Sequence, residues 1–202
     1  MKPMIIRASN VAPQPWHNGG GQTRALMVWP PAESSWQSSW QSSWQMRISL
    51  ADIESNGPFS AFEAVQRWFA VVEGAGVKLR FADEEKLMTH TSAPLCFDGG
   101  APPDCELVSG TTRDLNLMIR SGSGKMQSAL DRVAWRTAAT QCGLFTVSAG
   151  FVHVGIESFG PIAAHALVWF DATPAAPLIF ESLHASQAHA GWWLSFTPEA
   201  HR

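Results

Sequence analysis

The sequence is poor in charge. Only 15% of its 202 residues are Asp, Glu, Lys or Arg, and the 14 Lys and Arg are scattered without forming a basic stripe. With a formal net charge of -3, the chain lacks the basic footprint that nucleic-acid binding ordinarily leaves. It also lacks a long apolar run: the best candidate, Ile162 to Phe170, is interrupted by His165 and is too short for a membrane span. Met1 to Asn10 shows none of the basic start, apolar core and small-residue cleavage site of a signal peptide. The expectation is a cytoplasmic protein with no nucleic-acid and no membrane partner. Cysteine is scarce as well. Cys96, Cys105 and Cys142 are an odd number without C-x-x-C spacing. A Cys96–Cys105 disulfide can be drawn across a hairpin, but reduced thiols are the default in that compartment, and the three are read as packing residues.

Several kinds of site chemistry are missing too. A β-barrel metal centre of the His-x-His, Glu, His type needs imidazoles and a carboxylate converging on one face. The seven histidines, His17, His90, His153, His165, His184, His189 and His201, contain no His-x-His pair. His153 and Glu157 share a face only in a helix, and their segment reads as a strand, so no metal ligands are assigned. Gly122-Ser-Gly-Lys125 lacks the Gly five positions before its Gly-Lys and the Ser or Thr after it, which excludes a phosphate loop. Gly19 to Gly21 lacks the spacing of a dinucleotide fingerprint, and no G-x-S-x-G elbow is present. No cofactor and no catalytic residue is assigned.

What is present is β structure. With 46% hydrophobic residues and 10 Trp, the chain can bury a substantial core as one domain or two packed halves. Short segments rich in β-formers recur between Gly and Pro: 24–29, 45–51, 87–91, 105–108, 115–120, 145–148, 151–156, 166–171 and 192–196. Residues 68–72 and 77–81 flank Glu73-Gly-Ala-Gly76, which reads as a hairpin turn. This spacing predicts a sandwich, jelly roll or barrel. Met126 to Thr140 fits either a helix or a strand followed by a loop. The Ser-Ser-Trp-Gln unit repeated from Ser34 to Gln45 is read as a loop lengthened by duplication. Ser121 to Gly124 offers a boundary, giving a module over 1–122 and a smaller β-module over 123–202.

Three segments concentrate polar groups. Trp16-His-Asn-Gly-Gly-Gly-Gln-Thr-Arg24 has three glycines that allow close backbone approach, beside an amide, a hydroxyl and a guanidinium. It serves equally as a structural turn. Gln45 to Ala51 alternates, with Arg47 and Ser49 opposite Met46, Ile48 and Leu50; Asp114 to Arg120 does the same, with Asp114, Asn116 and Met118 on the polar side. Such faces are either solvated or line the mouth of a barrel. Asn56-Gly-Pro-Phe-Ser-Ala-Phe62, followed by Arg67, is a turn carrying aromatics, a hydroxyl and then a cation.

Taken in order, W-x-N-G-G-G-x-T-R (Trp16–Arg24), W-x-x-R-I-S-L-A (Trp44–Ala51), G-P-F-S-x-F (Gly57–Phe62), Arg67, Val-Val-Glu-Gly (Val71–Gly74), Phe97-Asp-Gly99 and D-x-N-x-M (Asp114–Met118) resemble the HutD/Ves family. The motifs cover roughly the first 120 residues. The resemblance implies an all-β, cupin-like (jelly-roll) double barrel, a bicupin, without metal ligands. It also implies a small-molecule-binding regulatory role in histidine utilisation, the ligand being N-formylglutamate or a related small dicarboxylate. Such a ligand calls for guanidinium forks, here Arg47 and Arg67, with neutral partners at Asn18, Ser49, Ser60 and Asn116. Thr23 and Phe62 complete the expected ligand-binding set; Arg24 is a second choice, which alternatively pairs with Asp114, and Phe59 is a further apolar wall. The expected partner is thus a small anionic molecule, with a homodimer open. Two alternatives stand: a metal-free cupin-type enzyme (isomerase or amide hydrolase) with Asp114 or Glu73 as base, and a Ves-type stress-response protein with an unknown ligand.

Overall fold

The computed structural model of the chain describes residues 2–31, 44–183 and 189–199. The tandem repeats, apart from Trp44 and Gln45, lie outside these residues. Among the described residues the regular structure is β apart from a 3-10 turn at Ala8–Asn10, and no helix is long and apolar enough to cross a membrane.

The chain divides into two compact units. The first strand, β1 (Met4–Arg7), belongs to the unit completed by the C-terminal half. The other unit, residues 11–122 with Glu199 from the far end, contains β2 (Gln14–Pro15), β3 (Gly21–Trp29), β4 (Met46–Ile53), β5 (Gly57–Pro58), β6 (Gln66–Glu73), β7 (Val77–Arg80), β8 (Glu85–Met88), β9 (Leu95–Asp98), β10 (Asp104–Leu107) and β11 (Thr112–Ile119). Its strands pair as a six-stranded sheet, β2-β3-β4-β11-β6-β9, and a four-stranded sheet, β5-β10-β7-β8. Ile53, Phe69 and Val71 from the first sheet and Val77, Leu79, Met88 and Cys105 from the second share one apolar cluster with Phe59. The two sheets therefore pack face to face, as a jelly roll requires.

The unit formed by residues 2–10 and 123–198 contains β1 with β12 (Ser123–Leu130), β13 (Gln141–Thr146), β14 (Gly150–Val154), β15 (Glu157–Ile162), β16 (Ala166–Phe170), β17 (Leu178–Ser182) and β18 (His189–Thr197). A five-stranded sheet, β1-β16-β13-β18-β12, and a three-stranded sheet, β15-β14-β17, enclose Leu144, Val168, Phe170 and Trp193 against Val152, Leu178 and Phe180. Trp135 stacks on Trp193 with ring centroids 4.9 Å apart. The core cluster of this unit is built from aromatic and aliphatic side chains.

Four sequence expectations change. The segment at Glu73–Gly76 is not a hairpin: β6 pairs with β11 and β9, and β7 with β10 and β8, so the turn carries the chain from one sheet to the other. Gly74 is needed there because its φ is +96° and a Cβ would meet the Thr111 carbonyl at 2.6 Å. Residues 4–7 do not stay with the N-terminal half, since β1 forms a ladder with β16. Cys96 is exposed on edge strand β9 rather than packed, while Cys105 and Cys142 are buried; all three thiols are free. Finally, the ladders leave open edges at β2, β9, β5 and β8, so neither sheet of that unit closes into a barrel through the described strands. Of the two readings of Met126–Thr140, the strand and loop is the one found: β12 ends at Leu130 and the chain bridges back to Leu178 at Trp135.

Candidate functional site

Strand register builds the site. Across β3, β4, β11 and β6, three rows of side chains lie on one face of the six-stranded sheet: Thr23–Ala51–Asp114–Val71, Ala25–Ser49–Asn116–Phe69 and Val28–Arg47–Met118–Arg67. The opposite face carries Gln22–Asp52–Arg113–Glu73 and Arg24–Leu50–Leu115–Ala70. Alternation along β4 and β11 sets this division, and register shifts at Ala25/Met27 on β3 and between Val71 and Glu73 on β6 bring Val28 onto the first face and Glu73 onto the second. The first face is not solvated. Ser49, Asn116, Asp114 and Arg67 are respectively 3%, 2%, 1% and 7% exposed.

These rows open into a pocket of about 360 Å³, lined also by the β2–β3 turn and by the segment after β5. All eight residues expected at a ligand site, Asn18, Thr23, Arg47, Ser49, Ser60, Phe62, Arg67 and Asn116, line it, as do Phe59 and Asp114. Arg24 does not. It lies on the other face and pairs with Asp52 at 2.7 Å, so the suggested Arg24–Asp114 pair is replaced. Asp52 also accepts from Arg113 at 2.6 Å, and Arg113 reaches Glu73 at 2.7 Å. Burial alone would raise the Asp52 carboxyl, but the hydrogen bonds from Arg113 and Arg24 outweigh it and hold it below its ordinary value. Glu73 is thereby placed in a structural charge network, away from the pocket, and drops out as a candidate base.

Within the pocket, the Arg67 guanidinium is fixed on three sides. Its Nε donates to Asn116 Oδ1 at 2.8 Å, and its Cζ lies 4.5 Å from the ring centroid of Phe59 and 5.5 Å from that of Phe97. The Asn116 amide in turn donates to Asp114 Oδ2. Burial lowers Arg67 to about 10, with Asp114 raising it and Arg47 lowering it further, so it remains a cation at neutral pH. Burial likewise lowers Arg47. Burial pushes Asp114 up to about 7 against the pull of Arg67 and the Asn116 hydrogen bond. Two arginines thus line one pocket, and the charged form of the single carboxylate among its lining residues is disfavoured by burial. Such a site favours an incoming negative charge.

The rim is made of polar turns. Trp16 Nε1 donates to Thr23 Oγ1 at 2.7 Å, fixing the indole over β3, and Gly20 N–H donates to Asn18 Oδ1 at 3.0 Å. The glycines divide their work: Gly19 has φ +69°, whereas Gly21 lets β3 approach Asp52, whose carbonyl a Cβ would meet at 2.1 Å. Gln14, Pro15, His17, Pro58, Ala51 and Met118 also line the pocket and were missed from the expected set. Met118 and Ala51 were findable from alternation with Asn116 and Ser49. Gln14 and Pro15 carry no local signal. No group of three or more His, Cys, Asp or Glu suited to a metal ion occurs among the described residues.

Known proteins resemble the chain in sequence and in fold. The model of the HutD family matches residues 8–184. An uncharacterised 21.2 kDa protein in the hutC 3' region of Pseudomonas putida is 32% identical over 114 residues, 56% of each chain. Protein Ves of Escherichia fergusonii is 24% identical over 91% of this chain and 92% of its own. Among solved structures, HutD from Pseudomonas fluorescens SBW25, in a formate condition, superposes with TM-score 0.78 at 23% identity, covering 98% of this chain and 100% of that one. A cupin 2 conserved barrel domain protein from Leptotrichia buccalis superposes with TM-score 0.55 at 9% identity, over 96% of both chains. These structural likenesses give the fold: it is cupin-like.

Proposed function

The chain belongs to the HutD family, and on that premise we propose that it is a small-molecule-binding regulatory protein of histidine utilisation, acting in the cytoplasm without turnover. Its proposed ligand is N-formylglutamate or a related small dicarboxylate, bound in the pocket of the 11–122 unit. One observation carries this reading: Arg47 and Arg67 line a single pocket together with buried Ser49 and Asn116. Guanidinium forks match carboxylates, and the amide and hydroxyls suit a formamide. At about 360 Å³ the pocket sits at the small end of ligand sites, as a metabolite of this size requires. The genomic setting named for the Pseudomonas putida relative agrees with a role beside histidine catabolism. We also read the two units as two cupin modules, a bicupin, with the site confined to the first.

Thermal-shift measurements test this. A ligand bound only by the native state raises its midpoint. N-formylglutamate and glutarate at millimolar concentration are expected to raise it, and the neutral diamide of glutarate is not. No shift with any diacid would refute the reading.

Asp114 supports a second reading, a metal-free cupin-type isomerase or amide hydrolase. A buried carboxylate lining a pocket and titrating near 7 is placed as a general base would be. One-dimensional NMR of N-formylglutamate incubated with the protein separates the two, since only an enzyme releases formate or an isomer. A Ves-type role in stress responses uses the same pocket with a different anion, which the same thermal-shift panel would reveal.

A further inference from the structure

Asp114 is a buried carboxylate lining the pocket to which the proposed ligand contacts give no role. It lies on β11 between two pairings, opposite Ala51 and Val71, and its side chain is held by the Asn116 amide. Arg67 spends its Nε on Asn116 rather than on Asp114, so the chain of contacts runs from guanidinium to amide to carboxylate. The charged and titratable groups that act on Asp114 come from three strands besides its own. Arg67 on β6 acts on it through space, with Arg47 on β4 acting on Arg67 in turn. Asp52, on the opposite face of β4, opposes its ionisation, and the Cys105 thiol on β10 is held neutral, pushed up to about 12 by burial and by Asp114 itself. His17 reaches the pocket from the β2–β3 turn.

Resting on the reading of the pocket as a small-dicarboxylate site, we propose that Asp114 is its exchangeable counter-ion. When a dianion seats against Arg67 and Arg47, Asp114 takes one proton from solution, and when a monoanion seats against Arg47 it takes none. The reason is charge balance in a place with little solvent. The Arg67 guanidinium is matched either by Asp114 or by a ligand carboxylate. A monoanion on Arg47 leaves Arg67 to Asp114, whereas a dianion brings its second carboxylate onto Arg67. That second charge would stand beside a carboxylate that the surroundings already disfavour, and like charges in a buried site cannot all remain ionised. The proton joins the Asp114 carboxylate, and the buffer supplies it. Asp114 thereby sets which ligand charge is accepted at a given pH.

Isothermal titration of glutarate in phosphate, HEPES and Tris measures the proton directly, from the slope of observed heat against buffer ionisation heat. Glutarate and N-formylglutamate are dianions throughout the range from about pH 6.5 to about pH 8.5, well above ordinary carboxyl values, so a slope reports on the protein. The expected result at about pH 8 is uptake of close to one proton per glutarate, falling to a small fraction of one by about pH 6.5. The dissociation constant should rise about tenfold per pH unit above about pH 7, because only the protonated form accepts the dianion. Asp114→Asn should bind glutarate with no proton uptake and no pH dependence, and the monoanionic glutarate monoamide should bind wild type with none. His17→Gln should keep the uptake. Glutarate binding to wild type near pH 8 with zero slope overturns the proposal, and so does uptake that vanishes in His17→Gln. If Asp114→Asn does not fold, the wild-type slopes for glutarate and its monoamide still decide. If wild type binds no diacid at any pH, the dicarboxylate reading itself has failed, an outcome distinct from binding without protons.

Discussion

Burial keeps Asp114 protonated up to about pH 7 in the native state, against an ordinary value of 3.8 that the unfolded chain should show. Between these two values the folded protein holds a proton that the unfolded chain has released. Rising pH therefore favours unfolding: the contribution of this group is fully present below about pH 4 and is lost as pH passes about 7. The span from 3.8 to about 7 corresponds to roughly 4 kcal/mol. Asp114→Asn cannot ionise, so it should gain on wild type as pH rises. Urea unfolding of both proteins at about pH 5 and about pH 8 is expected to show that gain growing by roughly 3 kcal/mol. An unchanged difference would mean that Asp114 is ionised in the native protein at the lower pH. Removing Arg67 leaves Asp114 without the cation that acts on it and Phe59 without its stacked guanidinium. Arg67→Ala should therefore lose stability in urea unfolding as well as ligand.

At the scale of elements, the site depends on β3 and β4 lying close enough to bring the turn at Trp16–Gly20 over the pocket. Gly21 permits this, because an added Cβ would stand 2.1 Å from the Asp52 carbonyl. Gly21→Ala is expected to cost more than about 2 kcal/mol in urea unfolding and to weaken ligand binding, since backbone cannot yield as a side chain can. Gly20→Ala meets only the Ser55 hydroxyl at 3.0 Å and the Asn18 side chain at 3.2 Å, and should cost much less. Equal effects would show that the close approach is not what holds the turn. Alternation within a strand was legible in the sequence, and with it the sharing of one face by Arg47 and Ser49 and by Asp114 and Asn116. Strand partners were not. A β-rich run such as residues 68–72 looks the same whether it pairs with the next run or with a distant one. Strands β6 and β7 follow closely in the chain yet diverge, because β11 and β9 already occupy both edges of β6. The fate of Arg24 was hidden for the same reason, as its partner Asp52 depends on the β3–β4 register. Gln14 and Pro15 line the pocket only because β2 adds to that sheet through two residues.

For the whole molecule, the two units differ in what fills them. The 123–198 unit packs aromatics such as Trp193 and Phe180 into its interior, while the 11–122 unit keeps a polar face and a pocket on its six-stranded sheet. Ligand-induced protection from hydrogen exchange should therefore fall on β4, β6 and β11 and spare β13 and β16. Elemental analysis of purified protein is expected to find well under one transition metal per chain, because the sequence offers no His-x-His pair; about one Zn, Mn, Fe or Ni per chain would contradict it. Arg47 and Arg67 line one pocket, and the most direct test of the proposal that they grip ligand carboxylates is calorimetric titration of N-formylglutamate near pH 7. Wild type, Arg47→Ala and Arg47→Lys are compared, with circular dichroism to verify folding. Wild type should bind, Arg47→Ala should lose roughly 2–5 kcal/mol of affinity, and Arg47→Lys should recover only part, because an ammonium lacks the planar fork. Folded Arg47→Ala binding as tightly as wild type would contradict this.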